Sequence, residues 1–439
     1  MKRSHKPEHR RDQLRVAVTG GSGQFGMAVL RRLAEDPVVR SLVSLDVAPP
    51  RLVGPKIESV QADVRDPEIG RHFEGCDAVF HLAFSVHRYR PRKLFDAVNV
   101  EGSKNVFRAA RDAGVEQVVY ASSVAAYGLV HGHPRPIRED DERFYQPEFA
   151  YSRAKYEVEA FLDDFERENP EMIVTRLRPV VTVGERMESL MGWTLRNRRI
   201  PTTGDVPFPV VWEEDVVDAF DLALRHGAAG AFNLSADGEL TAKELAREVG
   251  MKTVKIPRWL GLLVAHLSPH LAKLGIGSMI DPAWIRSSDA PIVLSSEKAV
   301  RELGWQRRCP TTVDVMRHFD RVVPRHLDNR IVAWAKSLHR SPAPADAPAD
   351  APAVHLHLTG PPGGDLTLGK EGGHWIARMG RPWRIAASIH LHAQTLLDLL
   401  AGVRDWATAA SSGEIRIEGP EEAVSLVRRA LATPARVGT

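Results

Sequence analysis

The chain has 439 residues, a formal net charge of +3 and 26% charged residues. That length accommodates two or three domains with a sizeable core, and so even a charge balance calls for no nucleic-acid partner. Two cysteines, Cys76 and Cys309, exclude a disulfide framework and fit a reducing, cytoplasmic setting, while no apolar run reaches the ~18 residues of a membrane span.

Residues 1–13 carry Lys2, Arg3, Lys6, Arg10 and Arg11 with no apolar stretch behind them, which reads as a disordered basic tail rather than a signal peptide. The β-branched run Val16–Val18 then predicts a buried strand. It stops in Thr19-Gly20-Gly21-Ser22-Gly23-Gln24-Phe25-Gly26, and Met27 to Leu33 resumes with helical periodicity. Strand, glycine turn and helix in that order form a phosphate cradle. The first glycine permits the turn, the middle one admits a pyrophosphate, and the last lets the helix pack closely. Such a turn alone is weak evidence. Asp46 strengthens it, because it closes the apolar run Leu42–Leu45 and lies 20 positions after Gly26. A carboxylate there accepts hydrogen bonds from ribose hydroxyls and repels a 2′-phosphate, so NAD is expected over NADP, with Arg51 as the phosphate partner if NADP binds instead.

Strand and helix alternate to about residue 125. Ile57–Val60 and Ala78–Ala83 read as strands, Phe95–Ala113 as a helix, and Gln117–Ser123 as the next strand. Such alternation implies right-handed crossovers and a parallel sheet covered on both faces. A ligand then belongs at the carboxyl ends of the strands, where Gly20, Asp46, Asp63, Ala83 and Ser123 fall. A helix is predicted from about Ala150, then a strand Ile173–Leu177 halted by Arg178-Pro179. Beyond Gly184 the order becomes irregular, with helices over Asp215–Arg225 and Thr241–Val249 in a small lobe, mainly 184–300. The segment from Ile256 to Gly275 is apolar and interrupted by Pro269. It reads as a buried or cleft-capping helix, with contact at a membrane surface as the alternative.

A helix and a linker span 326–353, the linker repeating Ala-Pro-Ala-Asp between 341 and 353. It has no core-forming side chains and is expected to be extended. Strand-like segments follow from Val354, with helices over Ala393–Leu400 and Glu421–Leu431 and an alternating edge strand within Gly413–Gly419. That pattern is a small α+β unit, 354–439.

Ser123, Tyr151 and Lys155 form a second constellation. Tyr151 and Lys155 lie four residues apart, on one helix face. A tyrosine with a pKa of about 10 is a poor base at neutral pH, but a fixed neighbouring cation favours the phenolate and makes it a usable proton acceptor. Ser123, at a strand end, is placed to align a substrate oxygen, and Lys155 to hold the nicotinamide ribose. Without the glycine turn and the strand-end serine, such a Tyr/Lys pair is an ordinary exposed one.

With these motifs the first ~325 residues resemble the extended short-chain dehydrogenase/reductases, the group of NAD-dependent epimerases/dehydratases and hydroxysteroid dehydrogenases. The resemblance rests on the glycine turn, Asp46, Asp63-Val64, His81-Leu82-Ala83, Asn99-Val100-Glu101-Gly102, Ser122 to Gly128, Tyr151-x-x-x-Lys155, Leu177-Arg178-Pro179 and Leu303-Gly304-Trp305. It implies a doubly wound Rossmann sheet over 14–325. It also implies NAD contacts from Gly20, Gly23, Gln24, Phe25, Gly26, Asp46, Tyr151 and Lys155. Asp63 and Val64 are implied against the adenine, Leu82 and Ala83 along the cofactor, and Pro179 by the nicotinamide amide. Asn99 is implied to support the active-site helix. In nucleotide-sugar members an arginine usually lies seven residues before the aspartate matching Asp215; here that position is Phe208, which cannot clamp a phosphate. Residues 354–439 resemble a sterol-carrier-protein domain through Thr395–Gly402 and Gly413–Pro420.

The expected activity is hydride transfer at a secondary alcohol or ketone of an apolar, sterol- or lipid-like substrate, with Phe208 and Trp212 as an apolar wall. Nucleotide-sugar epimerisation or dehydration and a non-catalytic regulatory role are the alternatives. A second copy of the chain and a membrane surface are the macromolecular partners considered. His-x-His pairs at 131/133, 355/357 and 390/392 each show only two ligands, so solvent-facing histidines are expected and no metal is assigned.

Overall fold

The computed structural model describes residues 13–86, 92–184, 187, 190–273, 281–323, 329–339, 342, 353–359, 364–371, 374–379 and 386–432. The basic N-terminal segment, apart from residue 13, and most of the Ala/Pro/Asp linker lie outside them. The chain divides into two compact units, Met1–Gly192 with Arg199–His318, and Trp193–Arg198 with Phe319–Thr439.

In the first unit, seven parallel strands form one sheet. In chain order they are β1 (Leu14–Thr19), β2 (Val39–Asp46), β3 (Ile57–Gln61), β4 (Ala78–His81), β5 (Gln117–Ala121), β6 (Ile173–Pro179) and β7 (Gly230–Leu234). Their spatial order is β7-β6-β5-β4-β1-β2-β3, the doubly wound arrangement expected, with the order reversing between β1 and β4. Side chains alternate across the pleat, so neighbouring residues enter different cores. Val16, Val18, Phe80 and Val119 join one apolar cluster, and Ala17, Val79, Val118 and Tyr120 the other. Helices cover both faces, among them α1 (Gln24–Glu35), α2 (Gly102–Asp112), α3 (Ala150–Glu168) and α4 (Glu213–His226).

Two elements differ from expectation. The helix predicted over Phe95–Ala113 is interrupted by a π turn at Ala97–Glu101. The wider turn presents Asn99 to the loop after β4, where its amide accepts from the Ser85 N–H at 2.8 Å and donates to the Ser85 carbonyl at 2.9 Å. Strand β6 does not stop before Arg178-Pro179. It pairs through Pro179 with Leu234, and the Val180 N–H donates to the Leu234 carbonyl, so the proline's missing donor costs no rung.

The apolar segment forms α5 (Arg258–Lys273). Among its described side chains only a narrow face is buried, through Gly261, Ala265 and Ser268, and Trp259 is 68% exposed. No described helix is long and apolar enough to cross a membrane.

The second unit holds a five-stranded sheet. Its strands are β8 (Val354–Thr359), β9 (Gly364–Glu371), β10 (His374–Met379), β11 (Ala387–His392) and β12 (Ile415–Glu418), in the order β10-β9-β8-β11-β12. Its core includes Leu356, Leu366, Trp375, Ile389 and Ile415 together with residues of α6 (Asn329–Leu338), α7 (Ala393–Leu400) and α8 (Glu421–Ala432). Ile331, Trp334, Ala335 and Leu338 place α6, which precedes the linker, in that core.

Candidate active site

Strand β1 ends in a turn that only glycine accommodates at two positions. Gly20 has φ +74°, and a Cβ on it would lie 2.6 Å from the Ala83 nitrogen in the loop after β4. A Cβ on Gly26 would lie 2.0 Å from the Gly20 carbonyl oxygen, so the first turn of α1 rests directly on the glycine loop. The Gly20 N–H donates to the Leu45 carbonyl at 2.8 Å, and the Gly23 N–H to the Gly20 carbonyl at 3.0 Å. Helix α1 begins at Gln24 with no side-chain cap, leaving backbone donors at its start for an anion. The Gln24 amide donates to Glu213 at 3.1 Å, and Phe25 packs 6.1 Å from Phe220, both on α4.

Asp46 sits across from this turn at the end of β2. Its carboxylate accepts the Ser22 N–H at 3.0 Å and the Ala48 N–H at 2.9 Å. Each oxygen keeps lone-pair capacity for ribose hydroxyls. This cradle, closed to any Cβ and facing an oriented carboxylate, fits an adenine dinucleotide. Asp63 holds Arg65 through a hydrogen bond at 2.6 Å, and buried Val64 abuts Gly102, whose Cβ would meet it at 2.7 Å. The Leu82 N–H donates to the Thr19 carbonyl, bringing Leu82 and Ala83 beside the glycine turn.

A buried hydrogen-bond chain links that turn to the π turn. His81 Nδ1 lies 2.8 Å from Thr19 Oγ1, and His81 Nε2 lies 2.9 Å from Ser103 Oγ. Ser103 donates to the Asn99 carbonyl, so it accepts from Nε2–H and leaves Nδ1 to accept from Thr19. Burial, helped by the Lys155 charge, lowers the His81 pKa to about 3 and keeps the ring neutral.

The structure brings Ser123, Tyr151 and Lys155 together. Helix α3 buries Ala150, Ala154, Val158, Leu162 and Phe165 as one stripe. Ser152 Oγ pins it by donating to the Ala125 carbonyl at 2.8 Å, in the 3-10 turn that Ser123 caps. Burial pushes the Tyr151 phenol up, and hydrogen bonding with Ser123 opposes that shift. Lys155, 2% exposed, donates to the Ala121 carbonyl at 2.5 Å and to Tyr120 Oη at 3.2 Å. Its ammonium lies 5.9 Å from the Tyr151 ring centre. Burial pushes that ammonium well down, and Glu159 one turn on opposes it.

Glu159 is fully buried and takes a bidentate grip from Arg178, at 2.8 and 2.5 Å. Arg176 at 3.2 Å, Arg143 at 3.1 Å and Ser122 at 2.6 Å complete its shell. Burial alone would raise this carboxyl, but the three arginines hold it well below the usual carboxylate range. The network underlies the strand ends that carry Ser123 and Pro179.

Sequence reasoning missed the rings around Tyr151. Phe84 lies 5.6 Å away edge-on, Trp284 5.6 Å away and tilted, and Phe149 at 6.4 Å. Phe84 directly follows His81-Leu82-Ala83, a signal that was available; Trp284 arrives from a distant short helix, Pro282–Arg286. Phe208 is half-buried, its N–H bonded to the Leu240 carbonyl. Trp212 is 2% exposed and packs edge-on against His318, inside the unit.

Residues 16–235 match the family described as the NAD dependent epimerase/dehydratase family. A curated relative, an uncharacterized protein of Mycobacterium tuberculosis, is 28% identical over 256 residues, covering 55% of this chain and 67% of the relative. A 3-beta-hydroxysteroid dehydrogenase of Mycolicibacterium neoaurum is 32% identical over 169 residues, 36% of this chain and 44% of that protein. Among solved structures, a UDP-glucose-4-epimerase of Stenotrophomonas maltophila, with bound NAD and formylated UDP-arabinopyranose, superposes with a TM-score of 0.54. It is 22% identical and covers 70% of this chain and 96% of its own, a likeness of fold.

Proposed function

The chain belongs to the NAD dependent epimerase/dehydratase family and takes NAD as its cofactor, and on that premise we propose that it oxidises or reduces an apolar, sterol- or lipid-like secondary alcohol or ketone. The observation that carries this reading is the pair of partly exposed rings beside Tyr151, Phe84 and Trp284, backed by the fully buried Phe149, which offers a substrate apolar surface at the reacting oxygen.

Gly20, Gly23, Gly26 and Asp46 hold the cofactor, with Gln24, Phe25, Asp63, Val64, Leu82, Ala83 and Pro179 along its length. When bound, NAD supplies the hydride acceptor or, reduced, the donor. Tyr151 exchanges the proton at the substrate oxygen: the phenol gives it to a carbonyl oxygen on reduction, and the phenolate takes it from the alcohol on oxidation. Ser123 hydrogen-bonds the same oxygen. Lys155 stabilises the phenolate as it forms. Phe208 stands where nucleotide-sugar members of the family usually carry a phosphate-gripping arginine, and of the arginines that precede it closely in the sequence Arg198 is already held by Asp320. Incubation with NAD and a panel of sterols, simple secondary alcohols and nucleotide sugars tests the reading. Reduced cofactor is expected with apolar alcohols, and conversion of a UDP-sugar without net reduction, found by product analysis, overturns it in favour of an epimerase.

The proposal extends to two neighbouring features. The outer face of α5 exposes Trp259, Leu260, Leu263, Val264 and Leu267, and residues 251–280 carry Lys252, Lys255, Arg258 and Lys273 with no acidic residue. A basic helix with an apolar face suits the surface of an anionic bilayer, where an apolar substrate would reside. Co-sedimentation with phosphatidylserine-containing vesicles, weakened in Trp259→Ser/Leu263→Ser, is the expected result. The C-terminal unit, which resembles sterol carrier proteins through Thr395–Gly402 and Gly413–Pro420, would hold lipid for the same chemistry; retention of a fluorescent sterol by the full chain tests that.

A further inference from the structure

The C-terminal sheet sends its apolar residues to one face. Val354, Leu356, Leu358, Leu366, Leu368, Ile389 and Leu391 lie in the core, and alternation sends His355, His357, Asp365 and His390 to the opposite face. The antiparallel pairing of β8 with β9 sets His357 opposite Asp365, and the parallel pairing of β8 with β11 sets His357 beside His390. Strands remote in sequence thus supply what the His-x-His spacing lacks.

The geometry is close. Asp365 Oδ1 lies 2.7 Å from His355 Nε2 and 2.8 Å from His357 Nδ1, and the three donor atoms lie within 4.8 Å of one another. The His390 ring centre is 5.4 Å from that of His357. Its Nε2 is buried without a hydrogen-bond partner and lies 3.8 Å from Glu418. Of the other two His-x-His pairs, only His390 joins this cluster. His133 Nε2 is spent on the Gly128 carbonyl at 2.7 Å, and His392 Nδ1 accepts the Gln394 N–H at the start of α7.

We propose that His355 Nε2, His357 Nδ1 and Asp365 Oδ1 bind one zinc ion, with His390 beside the fourth coordination position. Two imidazoles and a carboxylate are borderline and hard donors, a set that suits Zn2+ and leaves a position open. Zinc bonds of about 2.0–2.2 Å place tetrahedral neighbours roughly 3.3 Å apart, so both contacts with Asp365 open slightly and the widest separation closes. Glu418, near His390, is placed to orient that ring as an outer carboxylate. The ion would fasten β8 to β9, a role separate from hydride transfer.

The test uses the full chain without a histidine tag, stripped with a chelator and titrated with zinc chloride in a calorimeter. One equivalent is expected to bind with micromolar or tighter affinity. His357→Gln and Asp365→Asn are each expected to weaken binding at least about tenfold, while His131→Gln, in an unrelated pair, leaves it unchanged. Because a substitution in the sheet can unfold the tail, the wild type is also loaded with cobalt(II), where intense visible bands are expected from a four-coordinate site. Zinc binding that is only millimolar overturns the assignment. So do wild-type affinity in both ligand variants and the pale spectrum of six-coordinate cobalt.

Discussion

In the N-terminal unit the charged side chains lie inside the sheet-and-helix sandwich. Lys155, Glu159 and Arg178 are each almost wholly buried, and each meets an opposite charge or a carbonyl. In the C-terminal unit the polar cluster lies across one face of a sheet whose other face is the core, its members drawn from neighbouring strands. Burial without a partner costs a charge several kcal/mol, so the first arrangement ties each group to a fixed neighbour. The second leaves the strands' pairing to decide which side chains meet. The contrast teaches where function depends on helix spacing and where on register.

Substitutions separate the two. Tyr151→Phe keeps the ring and removes the proton, so kcat should fall by about 10²–10⁴-fold, with NAD affinity within about twofold by fluorescence titration. His357→Gln, in the other unit, should leave kcat unchanged. Normal turnover in Tyr151→Phe would remove Tyr151 from the chemistry and erase the contrast.

Next in size is Glu159→Ala, which leaves Arg178 in the interior without its carboxylate, while Arg176 keeps Asp163 and Glu166. Breaking a buried pair in this way costs about 3–5 kcal/mol, read as a lower denaturant midpoint of the N-terminal unit followed by NAD-dependent fluorescence. A loss under about 1 kcal/mol, the scale of an exposed pair, would show that water reaches the network.

This difference also sets what the sequence reveals. The glycine turn, Asp46 and the Tyr151/Lys155 pair are local: each is fixed by a strand end, a turn or one helix face, so linear spacing encodes it. Phe84 was one residue from a recognised motif. Trp284 reaches Tyr151 only because the lobe folds back, and Asp365 reaches His357 only through a hairpin register; neither distance is written in local spacing. The π turn escaped for another reason. Phe95 to Ala113 has sound helical periodicity, and the widening answers the clamp between Asn99 and Ser85, a tertiary contact. Trp212 shows the reverse error, an aromatic taken as a cleft wall from its neighbours' composition that packs inside instead.

Acid probes the interior of the first unit. His81 has a folded pKa of about 3 and an unfolded value of about 6.5. Between them the unfolded chain binds the extra proton, so the stabilisation is complete above about pH 6.5 and is lost as pH falls through that window. At about 1.4 kcal/mol per pH unit, His81 alone costs the unit about 2 kcal/mol at pH 5. Urea midpoints at pH 7 and pH 5 measure this, and His81→Asn should flatten the difference. An equal slope in both proteins would mean that His81 is solvated.

The smallest expected effect lies at the cofactor's adenosine end. Asp46 is oriented by two backbone N–H groups, so its charge is fixed where ribose hydroxyls arrive. A 2′-phosphate placed there would meet a like charge and lose a hydrogen-bond acceptor. NAD should therefore bind at least about tenfold more tightly than NADP, a difference of about 1.4 kcal/mol. Asp46→Asn keeps one acceptor oxygen and removes the charge, so the preference should shrink by severalfold, mainly through improved NADP binding rather than weakened NAD binding. Equal titrations of the two cofactors in the wild type would mean that a cation offsets Asp46, with Arg51, five residues on, the first to replace. Because the effect is electrostatic at a partly exposed site, the discrimination should also fall as salt is raised from low ionic strength to about 1 M, where the screening length drops to about 3 Å. A preference that ignored salt would instead assign it to shape, to the closed glycine turn rather than to the carboxylate.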